Sequence, residues 1–126
     1  MKKAMMLIVA GVMALSVAAA APPALASGSS VTKTGRCGTR PWSLVLAHDN
    51  GRIEADYKLG NVKVGRTWRV VMKDNGVRFA AGNKTTQADG SFSVTKFAPN
   101  QTGTDHILAR ASNLTTGEVC RATAAI

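Results

Sequence analysis

Beyond residue 35 the chain alternates apolar with polar positions in short runs that Gly- and Asn-rich turns separate, and a period of two marks half-buried β-strands. Arg52 to Leu59 is the cleanest case: Ile53, Ala55, Tyr57 and Leu59 take one face and Arg52, Glu54, Asp56 and Lys58 the other. Before it, Trp42 to Ala47 sets Trp42, Leu44 and Leu46 against Ser43 and Val45. Pro41 stands at the start of that strand, where it removes no interior ladder bond. His48-Asp-Asn-Gly51 turns the chain between the two strands. A third strand directs Trp68, Val70 and Met72 inward, and a type I′ turn at Asn75-Gly76 then sets its register. That register opposes Met72 to Phe79, Val70 to Ala81 and Lys73 to Arg78, the last being a like-charge cross-strand pair. Gly82 to Gly90 reads as a polar loop, and Ser91 to Phe97 as a fifth strand with Phe92 and Val94 inward. A closing hairpin follows, with Asp105, Ile107, Ala109 and Ala111 on the apolar phase of one arm and Cys120, Ala122, Ala124 and Ile126 on that of the other.

Seven strands with turn signals every eight to twelve residues, and no helical period after the N-terminal segment, predict an all-β fold. An antiparallel two-sheet sandwich is favoured over a small closed barrel. The predicted core holds Ile53, Tyr57, Trp68, Met72, Phe79, Phe92, Ile107 and Ala109. The run G-T-D-x-I-x-A-x-A-x-N-x-x-T-G-E-x-C from Gly103 to Cys120, taken with the Trp68 strand and Asp89-Gly-Ser-Phe92, resembles the immunoglobulin-like and fibronectin type III-like domains of small secreted actinobacterial proteins. The resemblance implies a single seven-stranded immunoglobulin-like sandwich with Trp68 as its central tryptophan, and with the third, fourth, sixth and seventh strands in one sheet. Such domains often tie the corner before the penultimate strand with a tyrosine, and here Asp105 stands at the comparable position.

The N-terminal segment sets the compartment. Lys2 and Lys3 precede an uncharged, mostly apolar run from Ala4 to Ala21. Pro22-Pro23 and the A-x-A site Ala24-Leu25-Ala26 follow, which reads as a secretory signal peptide over residues 1–26 and not as a retained membrane anchor. Residues 27–35, rich in Ser, Thr and Gly, read as a flexible linker, and residues 36–126 as the domain, in a secreted, extracellular protein. Cys37 and Cys120 are the only cysteines, and an even count in an exported chain implies one disulfide. Closing a loop of roughly 84 residues, it would stabilise the domain by about 4 to 5 kcal/mol through chain entropy.

Charge narrows the partners. The formal net charge is +9, and losing Lys2 and Lys3 with the leader leaves +7 on the mature chain. That balance suits anionic partners such as a cell-envelope polymer, or serves solubility alone. By the alternation, Arg69, Lys73, Arg78, Arg110 and Arg121 collect on the outer face of one sheet, with His106 beside them and no acid in phase; the other sheet shows the mixed set Arg52, Glu54, Asp56 and Lys58. Three Phe, two Trp and one Tyr leave little for base stacking, so sequence-specific nucleic-acid binding is not expected. No cofactor is expected either. An enzyme is not indicated: there is no G-x-S-x-G, the cysteines pair, and His48 and His106 lack further metal ligands at a useful spacing. Asn83-Lys-Thr85, Asn100-Gln-Thr102 and Asn113-Leu-Thr115 fit N-x-T, but loops rich in Asn and Thr produce such triplets by chance. Two functional classes remain. One is a secreted binding or structural module with a polyanion-binding sheet face. The other is an inhibitor or carrier acting on another protein or a small ligand through an exposed loop or the cleft between the sheets.

Overall fold

The structure is a computed structural model and describes residues 29–126. The signal-peptide reading of residues 1–26 therefore lies outside the described residues. Eight strands follow one another: β1 (Ser30–Cys37), β2 (Arg40–Asp49), β3 (Arg52–Leu59), β4 (Thr67–Asp74), β5 (Val77–Thr85), β6 (Phe92–Pro99), β7 (His106–Asn113) and β8 (Val119–Ala125). They form two antiparallel four-stranded sheets, in the orders β1-β2-β3-β6 and β5-β4-β7-β8, which pack as a β-sandwich. Among the described residues no helix is long and apolar enough to cross a membrane.

Local chemistry sets the hairpins. Asn50-Gly51 and Asn75-Gly76 have positive φ at both residues, 50° and 78° in the first and 48° and 83° in the second, as a two-residue type I′ turn requires. They join Asp49 to Arg52 and Asp74 to Val77. From those fixed points the period of two carries one phase of each strand inward. Leu44, Leu46, Ile53, Ala55, Tyr57, Leu59 and Phe92 face Trp68, Val70, Met72, Ile107, Ala109 and Ala122 across a continuous core. Phe92 lies at its centre, edge-on to Tyr57 with ring centroids 6.3 Å apart and tilted against Trp68 at 5.9 Å.

The structure corrects the sequence reading at three places. Residues 30–35, expected to be linker, belong to an eighth strand, β1, paired with β2 from Ser30 opposite Ala47 to Cys37 opposite Arg40. Ser, Thr and Gly supply no apolar phase there. The ladder and the Cys37–Cys120 disulfide, with Cα atoms 5.5 Å apart, hold the strand instead. Gly35 lets the Trp42 ring lie across β1, because a Cβ at that position would stand 2.4 Å from the ring. Gly82 to Thr85, expected to be loop, complete β5, an edge strand exposed along both faces over that stretch, which is why its polarity resembles that of a loop. The β4–β5 register holds from Asp74 and Val77 through Lys73 and Arg78, then shifts at a β-bulge. Phe79 is the extra residue, so Met72 meets Ala80 and Val70 meets Gly82, and Phe79 packs against the edge of the core, partly buried.

A cationic sheet face as the candidate functional site

The outer face of the β5-β4-β7-β8 sheet carries the five cations expected there. Arg69 and Lys73 stand on β4, Arg78 on β5, Arg110 on β7 and Arg121 on β8, and all are exposed. Registry links them. Lys73 is directly opposite Arg78, and Arg110 is directly opposite Arg121, a spacing of about 4.5–5.5 Å between Cβ atoms. Because Lys73 pairs with Leu108 and Arg69 with Ser112, Arg110 is the diagonal neighbour of both, about 7–8 Å away. The five therefore form one connected set crossing all four strands, with Val71 and Leu108 half-buried in its middle.

No outward position of these four strands carries an acid. The ion pairs among the described residues lie elsewhere, Arg40 with Glu118 at 2.9 Å and Arg52 with Asp49 at 3.4 Å, so the five cations have no acidic partner there. The opposite outer face differs in kind. On β3, Arg52, Glu54, Asp56 and Lys58 offset two positive charges with two negative ones, Asp56 accepts a hydrogen bond from Thr95 Oγ1 at 3.2 Å, and the Arg52 guanidinium stacks 4.2 Å from the centre of the Phe97 ring. One face is an unneutralised field and the other a balanced, internally bonded surface.

Two polar constellations escape a reading by strand phase. Arg40 donates from Nε and Nη2 to the two carboxylate oxygens of Glu118, each at 2.9 Å, and from Nη1 to the Asn61 carbonyl, while its guanidinium sits 5.7 Å from the centre of the Trp68 ring. The Glu118 carboxylate holds the Arg40 proton more tightly than usual. Beside this clamp Cys37, Glu118 and Cys120 converge as three metal-ligating types, but the cysteines are joined to each other and Glu118 is taken by Arg40.

The second constellation is a pair of buried carboxyls, Asp74 at 2% exposure and Asp105 at 0%. Asp105 exchanges both backbone hydrogen bonds with Ile126 and accepts the Gln101 N–H on Oδ1, which fastens the corner leading into β7. Neither Asp74 oxygen finds a donor, nor does Asp105 Oδ2. The two side chains meet each other, and burial together with the facing Asp105 pushes the Asp74 carboxyl up to about 6. No motif signals the pair: Asp74 reads as the start of a turn, and Asp105 as the first apolar-phase position of the closing hairpin. Burial likewise pushes the Tyr57 hydroxyl up, and this group too lacks a partner.

The other sequence candidates are not drawn together. His48 Nδ1 lies 3.5 Å from Asn100 Nδ2, whereas His106 begins β7 in the other sheet, its N–H donating to Asn75 Oδ1. Asn113 is buried, and its Oδ1 accepts the Thr115 and Thr116 N–H groups, an Asx turn that leaves no room for a glycan. At the open side of the sandwich, between β5 and β6, a cleft of about 70 Å³ lies over Val70, Met72 and Val94 with Lys84 and Lys96 at its rim. Compared with protein-family models, with curated proteins and with solved structures, the chain matches none of them.

Proposed function

We propose that this protein is a secreted, non-enzymatic binding module, an immunoglobulin-like β-sandwich that holds an anionic polymer against its β5-β4-β7-β8 face. One observation carries the reading: five cations without an acidic partner are registered together there, and two pairs of them stand directly opposite. Like charges opposite each other destabilise a sheet by up to about 1 kcal/mol per pair, and a bound anion removes that cost. The even cysteine pair, now seen as a bridge, and the A-x-A leader support export. The inter-sheet cleft of about 70 Å³ is far smaller than the few hundred Å³ usual for a ligand pocket, which favours the face over a ligand carried between the sheets.

The test is retention on immobilised heparin across a salt series, comparing the wild-type mature domain with the triple variant Arg69→Glu, Lys73→Glu, Arg78→Glu. The wild type is expected to bind with a steep inverse dependence on salt, and the variant to elute near the void. Equal elution of the two, with the variant's near-ultraviolet circular dichroism unchanged, overturns the proposal.

A further inference from the structure

Building on the polyanion reading, we infer that the ligand's charges are phosphodiesters of an extended polyol phosphate chain. Shape comes first. The face is one side of a four-stranded sheet whose outward positions between the cations are Val71, Leu108, Ala81, Ser112 and Thr123. Such a surface encloses nothing, so its partner is extended. The absence of outward Phe, Tyr or Trp on β4, β7 and β8 leaves His106 as the only outward ring of these strands, too little for a row of stacked nucleobases, and gives no Trp or Tyr anchor of the kind that dominates protein interfaces. A chain of anions joined by small, flexible, hydroxylated links fits the small polar positions, and its carbon backbone can lie over Val71 and Leu108.

The kind of cation then selects the anion. Four of the eight arginines of the described chain are on this face but only one of its six lysines, Lys73, while Arg40 and Arg52 elsewhere are engaged by carboxylates. A guanidinium presents a rigid fork of donors, and a lysine only a compact charge. Where two long cationic side chains leave the sheet from Cβ atoms about 5 Å apart, their heads can straddle a single anionic group. A phosphodiester carries its two free oxygens on a tetrahedral centre and can take one fork on each, out of a common plane. A carboxylate keeps all its lone pairs in one plane, so two forks can share it only by both lying in that plane. The Arg110–Arg121 pair is the strongest such bracket, and the Lys73–Arg78 pair, on the neighbouring strands β4 and β5 and offset by two residues, adds one fork and one compact charge.

The experiment keeps charge constant and removes the forks. The quadruple variant Arg69→Lys, Arg78→Lys, Arg110→Lys, Arg121→Lys alters only exposed side chains. Its affinity is compared with wild type for a glycerol phosphate polymer, poly-glutamate and oligo-deoxythymidylate at one ionic strength. Wild type is expected to prefer the glycerol phosphate polymer to poly-glutamate by about tenfold, and the lysine variant to lose that preference while keeping its poly-glutamate affinity. As a check independent of any variant, dimethyl phosphate, a phosphodiester of the same single charge as acetate, is expected to elute wild type from the polymer at a lower ionic strength than acetate does. Equal binding of the phosphate polymer by variant and wild type overturns the inference and leaves the polyanion reading standing. Tighter binding of oligo-deoxythymidylate than of the glycerol phosphate polymer also overturns it, in favour of nucleic acid. Failure of wild type to bind any of the three overturns both readings together.

Discussion

At the scale of single residues the least relaxed place in the fold is the Asp74–Asp105 contact, where three carboxyl oxygens are buried without a donor. The arrangement is tolerable only while a proton sits between the side chains, because two adjacent carboxylates in a dry site repel and lose their hydration. Asp74 titrates at about 6 in the folded protein against an ordinary 3.8. Its folded value is raised, so its contribution to stability is complete below about pH 3.8 and is lost as pH rises through about 6. Asp74→Asn keeps the shape, donates an amide hydrogen to Asp105 and does not titrate. The variant is therefore expected to be more stable than wild type above pH 6 by about 2 to 3 kcal/mol, with little difference near pH 4. Urea unfolding at pH 4, 6 and 8 measures this, and a wild-type advantage at pH 8 would show that the ionised pair is accommodated by another route.

At the scale of elements, strand phase was legible because the period of two leaves no alternative for Ile53, Tyr57, Trp68, Met72 or Phe92: a one-residue slip would turn all of them to solvent. The five-cation face was legible for the same reason. Asn75-Gly76 fixed the start of the β4–β5 register, and the bulge at Phe79 went unread because Phe79 and Ala80 are both apolar and either suits the place opposite Met72. β1 was missed since nothing in Ser-Val-Thr-Lys-Thr-Gly-Arg alternates in hydrophobicity. The Arg40–Glu118 clamp joins residues 78 apart, a distance across which one sequence offers no local pattern. β1 remains the element with least burial of its own: Val31, Gly35 and Cys37 are only partly buried and the rest of it is exposed. The Cys37→Ser, Cys120→Ala double variant is expected to lower Tm by about 15 °C or more, and to cost hydrogen-exchange protection in Ser30–Cys37 before it costs protection in β4. If β1 and β4 lose protection in step, β1 is part of the cooperative core and the bridge is not its main restraint.

For the whole molecule one outer face is cationic and the other balanced, and the response to salt separates self-repulsion from binding. The basic face adds repulsion within a chain whose formal charge is already strongly positive. Simple salt screens that repulsion, with a Debye length near 10 Å at 0.1 M, so the Tm of the isolated domain should rise modestly between about 0.02 and 0.2 M sodium chloride. A bound polyanion neutralises the same charges and stabilises the folded state by mass action, by about 2.7 kcal/mol at a hundredfold excess over Kd. That increment should shrink over the same salt range, since binding is a counterion exchange. The two effects therefore have opposite slopes against salt. In the Arg69→Glu, Lys73→Glu, Arg78→Glu variant both should collapse, because three acids beside the two remaining cations, Arg110 and Arg121, leave the face without its positive charge and remove net repulsion and ligand affinity together. Thermal melts of the two proteins, with and without glycerol phosphate polymer at each salt concentration, give the four curves required. A polymer-induced rise in Tm that persists undiminished at 0.2 M salt, or one of equal size in the variant, would place the stabilising contact away from this face.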